Sequence, residues 1–170
     1  MTGPESTGKS ELAQALAMHY RCEWVPEYSR EYLAGLDRPY RQDDILQIAR
    51  GQLSREEKRF NAGGRFLFCD TEMLVCKIWS EEKFGHCHPW ILDKLDRHRY
   101  DLYLLCNTDI PWQADPLREN PHDRDRLFGV YLKELTAREF PFAVISGTGK
   151  QRIDNAIRMI DRHFRFGQEK

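Results

Sequence analysis

The run Gly3-Pro4-Glu5-Ser6-Thr7-Gly8-Lys9-Ser10 fits the spacing G-x-x-x-x-G-K-[ST] and stands directly before an apolar-periodic segment that reads as a helix. Each residue type in it has a chemical task. Glycines allow a loop whose backbone N–H groups turn inward, and the start of the helix adds partial positive charge. Lys9 can reach the outer phosphates of a nucleotide, and the Ser10 hydroxyl can ligate Mg²⁺. The pattern therefore points to ATP held by Gly3, Glu5, Ser6, Thr7, Gly8, Lys9 and Ser10. By average residue usage it arises by chance in only about one chain of this length in a hundred.

Three further constellations could complete a phosphoryl-transfer site. Asp70 closes the apolar run Phe66-Leu67-Phe68-Cys69, and the carboxyl end of a buried strand is where ligands collect in open α/β sheets. A carboxylate there is a candidate Mg²⁺ partner beside Ser10 and a candidate base; the plain alternative is a cap for the following helix. Thr71 follows Asp70, and Glu72 comes one residue later than the water-activating Glu of motor ATPases, which weighs against a dedicated ATP-hydrolysing engine.

The second is Pro26-Glu27-Tyr28-Ser29-Arg30-Glu31, which gathers a carboxylate, an aromatic ring and a guanidinium. Glu27 can orient an acceptor hydroxyl and take its proton, and the residues leave open whether Glu27 or Asp70 is the base. The third lies in a Pro-rich polar segment, about 109–126, that reads as a mobile lid. Arg118 is its first candidate for neutralising the transferred group, while Arg124 and Arg126 follow, the latter equally well explained by ion pairs along a helix.

The elements that must position these residues follow from periodicity. Helices are expected from near Lys9 to Tyr20, from Asp43 to about Asn61, after Thr71, and from Gln151 to Phe164. Short apolar runs at Cys22–Pro26, Arg65–Cys69, Tyr100–Cys106 and Phe142–Ile145 read as strands. Strands alternating with helices predict an α/β fold of three layers around a mostly parallel sheet, in one domain over 1–170. Only Met1-Thr2 precede Gly3, so the sheet strand that normally leads into such a loop is expected to be missing, leaving backbone groups of its neighbours exposed.

Composition excludes several classes. Lys+Arg 26 against Asp+Glu 27 gives no general attraction to nucleic acid or to an anionic membrane. No apolar run is long enough to span a bilayer and no leader is recognisable, so the expected compartment is the cytoplasm. The five cysteines lack zinc or disulfide spacing, and His86-Cys87-His88 has no second cluster to complete a metal site. A guanine switch would need Asn-Lys-x-Asp, which Asn107-Thr108-Asp109 breaks. Nothing in the residues points to an oligomeric state.

Taken together, the Gly3–Ser10 loop, Trp24-Val25-Pro26-Glu27-Tyr28-Ser29-Arg30-Glu31, Gly51-Gln52, Phe68-Cys69-Asp70-Thr71 and Pro111-Trp112 through Asp115 to Arg118 resemble the ribosylnicotinamide kinase domain of bacterial NAD-salvage proteins. The resemblance spans nearly the whole chain. It implies a P-loop kinase fold and ATP- and Mg²⁺-dependent phosphorylation of nicotinamide riboside on its 5′-hydroxyl. Trp24, Glu27, Tyr28, Arg30 and Asp70 would then bind the nucleoside, a small-molecule partner whose cationic ring suits the π faces of Trp24, Tyr28 and Trp79. The adenylyltransferase and DNA-binding parts of bifunctional members have no counterpart in these residues. An acceptor other than nicotinamide riboside, a nucleotide-driven switch or ring ATPase, and an inactive fragment are the competing readings.

Overall fold

The computed structural model describes residues 1–98 and 100–165; the single domain expected over 1–170 also takes in Arg99 and 166–170, which lie outside the described residues. The order is α1 (Lys9–Tyr20), β1 (Glu23–Val25), α2 (Tyr28–Ala34), α3 (Gln42–Phe60), β2 (Leu67–Cys69), α4 (Met73–Phe84), α5 (Pro89–Arg97), β3 (Tyr103–Cys106), α6 (Arg124–Ala137), β4 (Phe142–Ile145) and α7 (Gly149–Arg165). β1 pairs with β2 and β3 with β4, both parallel. Parallel strands need helical crossovers, and those helices cover both faces. Leu12, Leu16, Ala156 and Ile160 of α1 and α7 fill one side of the sheet. On the other side, Ile45, Ala49, Leu74, Ile91 and Leu135 bring together α3, α4, α5 and α6. Burying each such aliphatic side chain contributes roughly 1.5–3 kcal/mol, and the two cores fix the strand ends in one plane.

Among the described residues no strand precedes Gly3, yet its place is not empty. Thr2 forms a parallel bridge with Leu105, donating to the Leu104 carbonyl at 3.0 Å and accepting from the Cys106 N–H at 2.9 Å. The Met1 nitrogen donates to the Cys69 carbonyl of β2 at 2.5 Å. Met1 and Thr2 thus lie between β2 and β3 and join the two pairs of strands. The expectation of a missing leading strand is corrected to this extent: two residues occupy the end of its position that carries the loop, and their pairing anchors Gly3.

Two local features explain why boundaries differ from those expected. The helix placed after Thr71 begins only at Met73, because Thr71 takes a positive φ of 72° and the Glu72 side chain caps α4 by accepting from the Leu74 N–H. The polar run 109–123 between β3 and α6 forms neither helix nor strand. It crosses the carboxyl ends of the strands, where the site lies.

Candidate active site

A cavity of about 790 Å³ opens at the carboxyl ends of the strands, lined at one end by Gly3–Glu11 and at the other by Trp24, Glu27, Arg30, Tyr40 and Trp79, with Asp70 also in its wall. This is the location that parallel α/β sheets offer to ligands.

The loop end is built by backbone conformation. Gly3 has φ 125°, Ser6 55° and Gly8 73°, so the chain turns through left-handed geometry three times within six residues. Gly3 is required twice over, since a Cβ there would stand 2.9 Å from the Cys106 carbonyl oxygen of β3. Gly8 caps α1 without any side-chain acceptor, leaving amides of the first turn directed at the loop. The Lys9 ammonium donates to the Gly3 and Pro4 carbonyls at 3.0 and 2.7 Å, and the Thr7 hydroxyl donates to Pro4 at 2.8 Å, closing the ring.

Asp70, at the end of β2, is 1% exposed. Burial pushes its carboxyl above the ordinary range and the nearby charge of Glu27 adds to this, while the Ser10 hydroxyl and the Lys9 ammonium act the other way. Ser10, Lys9, Glu27 and Asp70 all line the same cavity. The Asp70 Oδ1 atom is buried without a hydrogen-bond partner among the described residues. An orphaned carboxylate oxygen beside a serine hydroxyl is a fitting pair of hard oxygen ligands for Mg²⁺, which favours oxygen donors and keeps several waters.

Glu27 stands at the start of α2. Its carboxylate accepts from the Ser29 hydroxyl at 2.6 Å and lies 3.6 Å from Arg30 Nε. Arg30 in turn donates to Asp115 at 2.9 Å, linking α2 to the 109–123 segment. That segment also meets the loop: the Gln113 N–H donates to Ser6 Oγ at 2.9 Å, Arg118 reaches the same oxygen at 3.4 Å, and the Asn120 N–H donates to Glu5. Arg124 donates to the Ser6 and Ile110 carbonyls at 2.9 and 3.0 Å. Arg126 does not itself line the cavity and is paired with Asp123 and with Glu82, which does.

The structure thus brings Gly3, Glu5, Ser6, Thr7, Gly8, Lys9, Ser10, Trp24, Glu27, Arg30, Asp70 and Arg118 to one cavity. Tyr28 is the exception and is corrected here: it does not line the cavity, because its ring packs on Gly51 and under the Arg55 guanidinium, 4.3 Å from the ring centre. Trp79 does line it, donating from Nε1 to Tyr40 at 3.0 Å. Glu72 is buried at the start of α4 and does not line this cavity, its carboxyl pushed up to about 7 chiefly by burial. His88 caps α5 and His86 meets the Phe84 carbonyl, so the His86-Cys87-His88 triplet is occupied with local structure.

Arg152 escaped sequence reasoning. It is buried on α7, paired with Asp109 at 2.7 Å, and donates to the Thr7, Asn107 and Gly147 carbonyls at 2.9, 2.8 and 2.7 Å. Although burial pushes the Asp109 carboxyl up, the Gly147 N–H and the Arg152 guanidinium outweigh it and hold that group below its ordinary range. Arg152 braces the loop from beneath. A signal for it existed: Arg152, Ala156 and Ile160 share the buried stripe of one helix, and a cation on such a stripe requires partners.

A three-layer parallel fold with this loop between a sheet and α1 defines a P-loop kinase-like α/β protein. By a match over residues 1–152, the chain belongs to a family described as AAA domain. It is homologous to the trifunctional NAD biosynthesis/regulator protein NadR of Salmonella typhimurium and of Escherichia coli, at 30% identity over 128 residues in each case, covering 73% of this chain. The chain spans 31% of the length of those relatives. Among solved structures, a NadR protein in complex with NR overlays 95% of this chain and 50% of its own with a TM-score of 0.76 at 22% identity. A NadR protein with NAD and AMP-PNP overlays 95% of this chain and 48% of its own, also with a TM-score of 0.76 at 22% identity. A deoxyadenosine kinase from M. mycoides with bound dCTP overlays 94% of this chain and 96% of its own, with a TM-score of 0.57 at 12% identity. No described helix is long and apolar enough to cross a membrane.

Proposed function

We propose that this chain is an ATP-dependent kinase that transfers the γ-phosphoryl group to the 5′-hydroxyl of nicotinamide riboside, giving nicotinamide mononucleotide. The observation that carries the reading is the convergence of the Lys9 loop, Asp70 and Glu27 on one cavity with Arg118 at its edge. Homology to NadR, described as an NAD biosynthesis protein, and the overlay on a NadR structure in complex with NR support this choice of acceptor. In the reaction the 5′-oxygen forms a bond to the γ-phosphorus, the bridging bond to the β-phosphate breaks, and ADP leaves. The hydroxyl proton passes to Glu27, which is the more accessible carboxylate, held by Ser29 and Arg30. In such a loose transition state the chief service of this group is to orient the hydroxyl.

Lys9 and the inward amides bind the β- and γ-phosphates, and Arg118 offsets charge on the transferring group. Ser10 and Asp70 would hold Mg²⁺, which would supply neutralisation of the phosphate charge. Trp24, Trp79 and Tyr40 wall the acceptor end, where π faces and Glu27 suit a cationic nicotinamide ring. The segment at about 109–126 acts as a lid whose closure excludes water that would waste ATP. The five thiols, none in a disulfide, fit a cytoplasmic enzyme.

Incubation with ATP, Mg²⁺ and nicotinamide riboside, read by chromatography, tests the assignment. Stoichiometric ADP and nicotinamide mononucleotide are expected. Turnover of deoxyadenosine or another nucleoside, with none of nicotinamide riboside, would move the chain to a different acceptor.

A further inference from the structure

On α3 the buried stripe Ile45, Ile48, Ala49, Leu53 also contains Gln52, 2% exposed, and Glu56, likewise 2% exposed. A primary amide on an apolar stripe is costly unless all its groups are paired. Gln52 is paired with two places at once. Its Oε1 accepts from the Tyr28 N–H at 3.0 Å, the peptide that follows Glu27. Its Nε2 donates to Glu56 at 3.0 Å and makes longer contacts to the Asp70 and Thr71 carbonyls at 3.4 and 3.3 Å. Glu56 is itself fixed by the Tyr100 hydroxyl at 2.6 Å.

The neighbouring residues tighten the same joint. A Cβ on Gly51 would stand 2.0 Å from the Tyr28 ring, so only glycine lets that ring lie on the α3 backbone. Arg55, one turn on, covers the other face of the ring and donates to Glu31 at 2.8 Å. α2 is short, 7 residues, and the carboxylate of its cap residue Glu27 accepts from no backbone amide of the helix, only from the Ser29 side chain. Its placement therefore depends on these contacts with α3.

We infer that Gln52 is a positioning residue for phosphoryl transfer: with Gly51 it locks the backbone after Glu27 to the backbone of Asp70 and so sets the distance between the two carboxylates. It touches neither substrate. A displacement of about 1 Å in such a pair costs on the order of 100-fold in rate, whereas the phosphate loop, anchored by Thr2 and Arg152, is independent of it.

The inference rests on the kinase reading for its kinetic arm, and on hydrogen exchange for an arm that needs no activity. In Gln52→Leu, the Tyr28 amide is expected to exchange at least about tenfold faster than in the parent protein, kcat to fall roughly 30- to 100-fold, and the affinity for AMP-PNP to change less than about twofold. Unchanged Tyr28 exchange, or a loss of nucleotide affinity matching the loss of kcat, overturns the inference.

Should that variant not fold, the comparison passes to Gln52→Glu and the double variant Gln52→Glu/Glu56→Gln. The single change sets two buried carboxylates together. The double one restores a donor and acceptor pair between positions 52 and 56 and so relieves the repulsion that displaces the oxygen facing the Tyr28 N–H, and its Tyr28 protection and kcat are expected to exceed those of the single variant several-fold. Equal values in the two overturn it. If the parent protein makes no nicotinamide mononucleotide, the kinase reading fails while the exchange comparison still decides the Gln52 contact.

Discussion

The two ends of the cavity are made by different means. At the loop end, a stretch of adjacent residues sets its own shape through Gly3, Ser6 and Gly8, and its functional groups are main-chain amides with one ammonium. At the acceptor end, Glu27, Arg30, Asp115, Tyr40, Trp79 and Glu119 come from separate segments and are tied by side-chain bonds such as Arg30 to Asp115 and Tyr40 to Glu119, both 2.9 Å. The first is a local device that one strained turn would spoil. The second is a network in which single losses are shared, so specificity can change there without disturbing phosphate binding.

Mutation can break this contrast. Lys9→Ala removes the fixed charge beside the outer phosphates and is expected to lower turnover by about 1000-fold or more with loss of nucleotide binding, measured by product formation and calorimetry. Asp70→Asn should lower turnover on the order of 100-fold while leaving AMP-PNP bound. It should also raise the melting temperature, since the desolvation of a buried carboxylate with one unpartnered oxygen is relieved.

The pH dependence of that stabilisation has a definite sign. The folded carboxyl of Asp70 lies above its unfolded value, so the folded state binds the proton more tightly. Its favourable contribution is fully present below the unfolded value of about 4 and is lost as pH rises through the folded one. The melting-temperature gain of Asp70→Asn is therefore expected to be larger at pH 8 than at pH 5, and the acid limb of parent activity to begin above the ordinary aspartate range. A gain that shrinks with rising pH would contradict the burial argument.

Arg118→Ala is expected to lower kcat about 10- to 100-fold, whereas Arg126→Ala, which removes a half-exposed side chain outside the cavity lining, should change it less than about twofold. Steady-state kinetics on both variants separates them. The smallest effect belongs to the Arg30 and Asp115 pair, where a double-mutant cycle read by melting temperature should give a coupling of about 1 kcal/mol or less, because the arginine is half exposed.

The same contrast accounts for what could be read in advance. The loop was legible because its residues are contiguous and each has one physical task. β4 was legible to the residue, since a short apolar run bounded by turn residues has one reading. The placement of Asp70 and Glu27 near the loop follows from their positions just past strands, and both line the cavity. The resemblance implies a substrate role for Tyr28, but neither it nor proximity to Glu27 reveals which way a helix start turns; Gly51, 23 residues further on in the numbering, accommodates that ring. Arg152 carried no signal beyond its helix, and Gln52, with Gly51, carried the resemblance without a role, for a related reason. Their partners lie in other segments, and their one local mark was a polar residue on a buried stripe. Met1 and Thr2 looked too short to replace a strand, yet two residues suffice to pair with β3 and reach β2.

The most direct test of the account is calorimetric titration of AMP-PNP with Mg²⁺ into the parent protein and into Lys9→Ala. Saturable binding at one site in the parent and none in the variant is the predicted result. A folded parent that takes up no nucleotide, or a variant that binds as well as the parent, would contradict it.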